Sequence, residues 1–217
     1  MYAFLQRSDT SCLDEPLYGH YLKHTQRGHP GAAQLMANLN CDAAQVIQRQ
    51  ILGPCPTPVL FCKQMAHHLV ALDESFLEHT VNVILTRDPS EVLTTLVRQI
   101  PNPGLHDTGY QKQVLLLQRE PEIPVLDARQ LLLDPAAVLK CLSRRLGLAF
   151  EPAMLCWPPG PKAVDGIWAE HWYQNVHRST GFAPYQAKSE PIPRQVQGLA
   201  EQCQPLYEQL LEAAIKA

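Results

Sequence analysis

The sequence lacks the features that mark several common classes of protein. It contains no run approaching the roughly 20 consecutive apolar residues that a membrane-spanning helix requires, and its first residues do not follow the basic-then-apolar order of a secretory signal peptide. Lysine and arginine are not clustered and the formal net charge is -3, which argues against a general nucleic-acid binder. We therefore expect a cytoplasmic protein that binds neither nucleic acid nor a membrane.

The cysteines and histidines follow no recognisable disulfide or metal pattern. The seven cysteines are an odd set without a CxxC pair, which suits scattered reduced thiols and a reducing compartment. His20 and His24 are spaced i, i+4, but no glutamate of an HExxH motif lies between them and no third ligand is evident. We predict no metal site.

Short apolar segments recur along the chain, and each is followed by a helical pattern. The segments are SCLDEP, PVLFCKQM, TVNVILTRDP and IPVLDAR. The second and third are continuous rather than alternating, as strands buried on both faces of a parallel sheet are. The pattern predicts an α/β fold with three layers, helix–sheet–helix, around a mainly parallel sheet. Helices are expected over 88–99, 108–119 and 135–146, the last with Gly147 as its C-cap.

Composition changes over 152–193, where prolines punctuate a long segment that also contains tryptophans. A loop of this length inside a domain is typical of a functional lid or binding loop. An amphipathic helix follows over 194–216, and its apolar face is expected to pack onto the core, with a homodimer seam as the alternative. We treat 1–217 as one domain.

The sharpest local motif is VILTRDPSEVLTTL. Asp88 is placed to cap the helix after the strand, and Glu91 is placed to complete a capping box. A helix N-terminus at the C-terminal edge of a parallel sheet suits an anion. Arg87 directly precedes the cap of this helix, and the hydroxyls of Thr94 and Thr95 lie within the first two turns of the helix. The motif predicts a phosphate site, with a well-capped helix and a surface arginine as the alternative.

Two further segments carry candidate catalytic side chains at predicted strand ends. FCKQMAHHL contains Lys63, His67 and His68, and a lysine with a histidine can stabilise a transferring anionic group and move a proton near neutral pH. One histidine of such a pair often only packs or caps. LDEPLYGHY places Asp14 and Glu15 at a strand end, where a carboxylate is either a general base or a group that favours the helix dipole.

In order along the chain, these segments resemble the sulfotransferases that use 3′-phosphoadenosine-5′-phosphosulfate. RDPSEVLTTL looks like the family segment that binds the nucleotide's 3′-phosphate, which implies that Arg87 and Thr95 bind that phosphate; serine is commoner at the second position. FCKQMAHHL is similar to the strand that bears a catalytic Lys or His, and DEPLYGHYL to the strand that supplies a carboxylate base. The resemblance covers nearly the whole chain and is greatest to bacterial sulfotransferase-like proteins whose relatives occur fused to aminotransferase-like domains in plants.

The resemblance implies transfer of a sulfuryl group from 3′-phosphoadenosine-5′-phosphosulfate to a hydroxyl or amine of a small-molecule acceptor, with 3′,5′-adenosine bisphosphate as the product. Lys63 would neutralise charge on the transferring group, and Glu15, His67 or His68 would deprotonate the acceptor, by analogy with phosphoryl transfer.

The segment DGIWAEHWYQNVHRSTGF looks like the family's C-terminal loop that covers the cofactor. This likeness implies that Trp168 covers the adenine ring and that His171 or His177 lines the acceptor side.

One part of the family pattern does not occur in this sequence. Family members begin with a strand and a loop of the type SGPRNxSTA, whose backbone N–H groups cradle the 5′-phosphosulfate. This sequence starts within the helix that follows, so we expect the first central strand of the sheet to be missing. Either Met1 is a misplaced start, or this is a family member without its catalytic loop. Sulfotransferase activity is expected once the loop is restored.

Two other functions stay open at this level. One is a truncated or degenerate, non-catalytic nucleotide-binding module that keeps the 3′-phosphate site. The other is a nucleotide or small-molecule kinase, which is disfavoured because the sequence has no GxxxxGK[ST] motif. The sequence does not identify the acceptor, because a fold does not name a substrate.

Overall fold

The computed structural model describes residues 1–25, 29, 31–188 and 190–216. Ser189 and Ala217, which belong to segments predicted above, lie outside this part. The described residues form an α/β fold, as predicted, in which four short strands pair in parallel and alternate with helices. None of the described helices combines the length and the apolar character needed to cross a bilayer.

The chain divides into two compact units. The first comprises residues 1–80 and 151–182, and the second comprises residues 81–150 and 183–217. That the whole chain is one domain stays a prediction.

Regular elements cover most of the chain outside the proline-rich segment. The strands are β1 (Thr10–Asp14), β2 (Val59–Lys63), β3 (Ile84–Thr86) and β4 (Val125–Asp127). The helices are α1 (Tyr18–Thr25), α2 (Ala32–Asn38), α3 (Ala43–Val46, continued by a π-helical turn over Ile47–Ile51), α4 (Pro89–Leu96), α5 (Leu105–Thr108), α6 (Tyr110–Arg119), α7 (Ala128–Leu133), α8 (Pro135–Arg145), α9 (Ala169–Trp172), α10 (Gln174–Arg178) and α11 (Gln197–Glu212). Short 3₁₀ helices occupy Phe4–Gln6, Ala66–His68, Ser75–His79, Pro152–Leu155 and Arg194–Val196.

The first unit is built on β1 and β2. Their register sets Asp14 opposite Lys63, and because parallel strands run in the same direction, both end at the same edge. An aromatic interior lies beside this edge. Tyr18, Tyr21 and Leu22 recur on one face of α1 at helical spacing, and they are buried together with Trp168.

The second unit is built on β3 and β4, whose residues pair from Ile84 opposite Val125 onward. Helix α11 buries one face against this pair. The shared interior includes Ile84, Val125, Cys203, Tyr207 and Leu210. The prediction that the last helix packs onto the core is therefore confirmed.

Strand β3 departs from one expectation. Ile84 and Thr86 are buried, whereas Leu85 between them is 55% exposed. Successive side chains of a strand point to opposite faces, and here one of the two faces is uncovered. The prediction that this strand is buried on both faces is wrong.

Helix α8 ends as the sequence predicts. Gly147 adopts a φ of +67°, the left-handed conformation that glycine adopts without steric cost. Its N–H donates to the carbonyl of Arg144 at 3.2 Å, and the N–H of Leu148 donates to the carbonyl of Ser143 at 2.9 Å. These bonds satisfy carbonyl groups of the last turn that have no partner within the helix.

The packing of α11 can be tested with two adjacent leucines. Leu210 has no exposed surface, whereas Leu211 is 37% exposed. Leu210→Ala should lower the free energy of unfolding by about 2–5 kcal/mol, because it leaves a cavity in the core, and Leu211→Ala should cost less than about 1 kcal/mol. Urea denaturation followed by circular dichroism measures both. Equal losses for the two variants would contradict the packing described.

Candidate functional site

The edge where β1 and β2 end carries a largely buried group of charged and polar side chains. It is here called the carboxylate–lysine cluster and is made of Asp14, Glu15, Lys63, His68 and Tyr173. The ammonium of Lys63 donates to Glu15 Oε1 and, at 2.7 Å, to the hydroxyl of Tyr173. It also lies 3.5 Å from Asp14 Oδ1. The Tyr173 hydroxyl in turn donates to Asp14 Oδ1 at 2.7 Å. The structure thus brings together three of the four predicted catalytic residues.

Asp14 connects β1 to the proline-rich segment. Its Oδ2 accepts a hydrogen bond from the backbone N–H of Gly166 at 3.1 Å, in addition to its contact with Tyr173. Its side chain is almost fully buried. A buried carboxylate is costly unless it is paired and hydrogen-bonded, and these donors together with Lys63 supply that compensation.

Glu15 is held in an uncommon backbone conformation. Its φ is +43°, in the left-handed region that costs a non-glycine residue about 1–3 kcal/mol. Its N–H donates to the carbonyl of Lys63 at 2.7 Å, which holds this conformation. Burial raises the pKa of the Glu15 carboxyl, Lys63 opposes that rise, and Asp14 adds to it. Glu15 is therefore a better proton acceptor than an exposed glutamate.

His68 stands behind Glu15. Only 1% of its surface is exposed, and its ring stacks on Tyr18 and Tyr21, with centroids 4.9 and 4.5 Å away. Its Nδ1 has no hydrogen-bond partner in the described part of the chain and lies 3.8 Å from Glu15 Oε2. Burial lowers the pKa of His68 well below its usual value, and the neighbouring His67, Lys63 and His29 add to this. The imidazole is consequently neutral at neutral pH.

Two other predicted residues of the first unit, His67 and Trp168, lie nearby. His67 is half-buried and packs edge-on against His68, with ring centroids 4.7 Å apart. Trp168 is buried and packs edge-on against Tyr18. Its ring is part of the interior in this structure, and its contact with an adenine ring stays a prediction.

Three other histidines considered in the sequence have protein partners. His177 Nε2 lies 3.0 Å from Asp165 Oδ2, and His171 Nε2 lies 3.2 Å from Glu170 Oε1. His20 Nε2 is hydrogen-bonded to the carbonyl of Val70 at 2.8 Å. No group of three or more potential ligands suited to a metal ion occurs among the described residues.

Helix α4 of the second unit begins as predicted except at Glu91. Asp88 accepts a hydrogen bond from the N–H of Ser90 at 2.8 Å and caps the helix. Glu91 does not complete a capping box. Its Oε2 accepts a hydrogen bond from Arg87 Nε at 2.7 Å, because a charged guanidinium is a stronger donor than a neutral backbone N–H.

The charged and hydroxyl groups at this helix form a second cluster, here called the arginine–lysine cluster and made of Arg87, Glu91, Thr94, Thr95 and Lys188. The ammonium of Lys188 donates to the Glu91 carbonyl at 2.6 Å and to the hydroxyls of Thr94 and Thr95 at 3.0 and 2.7 Å. The side chain of Arg87 is 45% exposed. Burial lowers the pKa of Lys188, and the nearby positive charge of Arg87 adds to that effect.

This cluster has the chemistry of an anion site. Two cations and two hydroxyls surround the first turns of a helix whose N-terminus carries a partial positive charge. The mutual repulsion of Arg87 and Lys188 would be relieved by a bound anion.

Sequence patterns did not predict two residues of these clusters. Tyr173 and Lys188 both lie in the proline-rich segment, where no strand register or helical period indicates what a side chain contacts. Their partners are distant in sequence, 110 residues from Tyr173 to Lys63 and 93 from Lys188 to Thr95.

Comparison with known proteins identifies the family of the chain. The family model of the sulfotransferase domain matches residues 1–214, so the chain belongs to the sulfotransferase domain family. Branched-chain-amino-acid aminotransferase-like proteins 2 and 1 of Arabidopsis thaliana are 35% and 32% identical to it over 212 residues, which are 95% of this chain. The chain spans only 38% of the length of either relative. The sulfotransferase domain from the curacin biosynthetic pathway is 16% identical, with a TM-score of 0.49 over 87% of this chain and 78% of that one.

The carboxylate–lysine cluster makes a testable prediction about stability. Lys63→Met should lower the free energy of unfolding by about 3 kcal/mol, because it leaves two buried carboxylates without their cation. The double variant Glu15→Gln, Lys63→Met should be more stable than Lys63→Met by about 1 kcal/mol or more, because one of those charges is removed. Chemical denaturation at neutral pH measures the difference.

The control is Lys23→Met, which removes the same charge from an exposed position of α1 in the same unit. It should change stability by less than about 0.5 kcal/mol. A double variant no more stable than Lys63→Met would contradict the buried pairing of Glu15 with Lys63.

Proposed function

We propose that this chain acts as a cytoplasmic sulfotransferase domain that uses 3′-phosphoadenosine-5′-phosphosulfate and transfers its sulfuryl group to a hydroxyl or amine of a small-molecule acceptor. The observation that carries the proposal is the arginine–lysine cluster. In a chain of the sulfotransferase domain family, it combines an exposed guanidinium, a second cation and hydroxyls at a helix N-terminus. These groups match the charge and the hydrogen-bonding capacity of a terminal phosphate.

Within that function, Arg87 and Thr95 bind the 3′-phosphate of the nucleotide. Arg87 has the terminal nitrogens of its guanidinium available for charge-assisted hydrogen bonds. The Thr95 hydroxyl accepts from Lys188 at 2.7 Å and donates to the Glu91 carbonyl at 3.4 Å, and it would redirect that long donation to the phosphate. Lys188 supplies the second positive charge. When bound, the nucleotide supplies the activated sulfuryl group, and the protein contributes position and charge.

In the first unit, Lys63 stabilises negative charge and Glu15 accepts the acceptor's proton. Glu15 is the best supported of the three candidate bases, because it contacts Lys63 directly and its burial raises its pKa. His68 lies behind Glu15, with its Nδ1 3.8 Å from Glu15 Oε2. Because burial keeps its imidazole neutral, it supplies no positive charge to the carboxylate and is a weaker candidate than Glu15. His67 packs edge-on against His68 and Tyr21 and is the weaker candidate.

A nucleotide-binding module without transferase activity is the second candidate. The arginine–lysine cluster alone would suffice for it, and the buried pairing of Glu15 with Lys63 is the observation that favours transfer. A transfer assay on the native chain and on Glu15→Gln separates the two: a transferase shows transfer that the variant loses, whereas a binding module shows no transfer in either.

The nucleotide site is tested by calorimetric titration with 3′,5′-adenosine bisphosphate and with adenosine 5′-monophosphate, which lacks the 3′-phosphate. We expect saturable binding of the bisphosphate and weaker binding of the monophosphate. Arg87→Ala should weaken bisphosphate binding by about 10- to 100-fold, the value of a hydrogen bond to a charged group.

Arg145→Ala is the matched control, because it removes an exposed arginine from α8 of the same unit. It should bind the bisphosphate like the native chain. Absence of saturable binding, or equal binding by Arg87→Ala and the native chain, would refute the proposed nucleotide site.

A further inference from the structure

Glu91 is a buried carboxylate inside a cluster whose chemistry suits anions. Only 6% of its surface is exposed. A carboxylate repels a phosphate, so a glutamate at a phosphate site must have another effect that favours binding. Its two oxygens have separate partners: Oε2 accepts from Arg87 Nε at 2.7 Å, and Oε1 accepts from the hydroxyl of Tyr185 at 2.8 Å.

The contact with Arg87 determines which part of the guanidinium is available. An arginine side chain carries five N–H donors in a rigid planar fork. Glu91 engages the Nε donor, and the terminal nitrogens of Arg87 make no hydrogen bond within the described residues. Asp88 caps α4 directly after Arg87 and fixes the start of the helix from which Glu91 projects. The carboxylate therefore restricts a long, flexible side chain to one orientation.

The opposite side of Glu91 binds the segment 183–188. Tyr185 donates to its carboxylate, and Lys188 donates to its backbone carbonyl at 2.6 Å. One residue thus joins the arginine at the end of β3 to the segment that supplies the second cation.

We propose that Glu91 is a positioning residue of the phosphate site, whose carboxylate aims the terminal nitrogens of Arg87 at the ligand. The inference rests on the proposed function and deepens it. The side-chain entropy of Arg87 is lost on folding rather than on ligand binding, and this pre-organisation outweighs the repulsion between the carboxylate and the phosphate.

Substitutions at Glu91 separate positioning from charge. Glu91→Leu removes the acceptor for Arg87 and should weaken binding of 3′,5′-adenosine bisphosphate by about tenfold. Glu91→Gln removes the charge but keeps an amide oxygen that can accept from Arg87, and should stay within about threefold of the native chain. If Glu91 acts only as a repelling charge, both variants should instead bind more tightly.

The matched control is Glu190→Gln, which removes a carboxylate of the same unit that is paired with Arg98 at 2.6 Å. It changes the net charge as Glu91→Gln does, without touching Arg87. Its affinity for the bisphosphate should remain within about twofold of the native value, because exposed ion pairs contribute little.

A double-mutant cycle tests whether Glu91 acts through Arg87. The double variant Arg87→Ala, Glu91→Leu should bind within about twofold of Arg87→Ala alone, because the group that Glu91 positions is already absent. A further tenfold loss in the double variant would overturn the positioning role.

These titrations distinguish failure of the proposed function from failure of the positioning role of Glu91. A native chain that does not bind the bisphosphate overturns the proposed function and this inference together. A native chain that binds it, while Glu91→Leu binds equally well, overturns the positioning role alone.

If Glu91→Leu does not fold, nuclear magnetic resonance of the native chain tests the contact between Arg87 and Glu91. The Nε–H of Arg87, identified by its loss in Arg87→Lys, should exchange slowly with water. Fast exchange would overturn the positioning role, because it would show that the Glu91 contact does not persist.

Discussion

The parallel register of β1 and β2 is the constraint on which the carboxylate–lysine cluster depends. It sets Asp14 opposite Lys63, and the hydrogen bond from the Glu15 N–H to the Lys63 carbonyl extends the pairing one residue further. A shift of one residue would turn Lys63 to the other face of the sheet and leave buried carboxylates without a cation. The unusual φ of Glu15 persists because this pairing and the Lys63 ammonium hold it from both sides.

The second unit also carries its candidate functional side chains where a strand of a parallel pair ends, but their chemistry is different. Strand β3 ends just before Arg87, and a capped helix begins two residues later. Here Arg87 follows the strand and the helix contributes hydroxyls, while the buried carboxylate of Glu91 accepts hydrogen bonds from Arg87 and Tyr185. Under the proposed function, the second unit would bind the anionic group of the nucleotide, and the first would supply a cation and a proton acceptor.

Local features were predictable and distant ones were not. The strand ends at Asp14 and Lys63, the cap at Asp88 and the position of Arg87 follow from patterns a few residues long. Tyr173 and Lys188 meet partners about a hundred residues away, and no pattern in the sequence records such a contact. Glu91 was misjudged because its spacing fits two local pairings, a capping box with Asp88 and the i, i+4 ion pair with Arg87 that the structure shows. The exposure of Leu85 was not predicted, because an apolar run does not show which face of a strand is covered by another layer.

The proposed function depends on binding of the nucleotide's 3′-phosphate by Arg87 and Thr95. A crystal structure of the chain with 3′,5′-adenosine bisphosphate tests it most directly. The account predicts that oxygens of the 3′-phosphate lie within hydrogen-bond distance, about 2.7–3.2 Å, of the terminal nitrogens of Arg87 and of Thr95 Oγ1. Electron density that placed the nucleotide in the crystal with its 3′-phosphate away from both residues would contradict it.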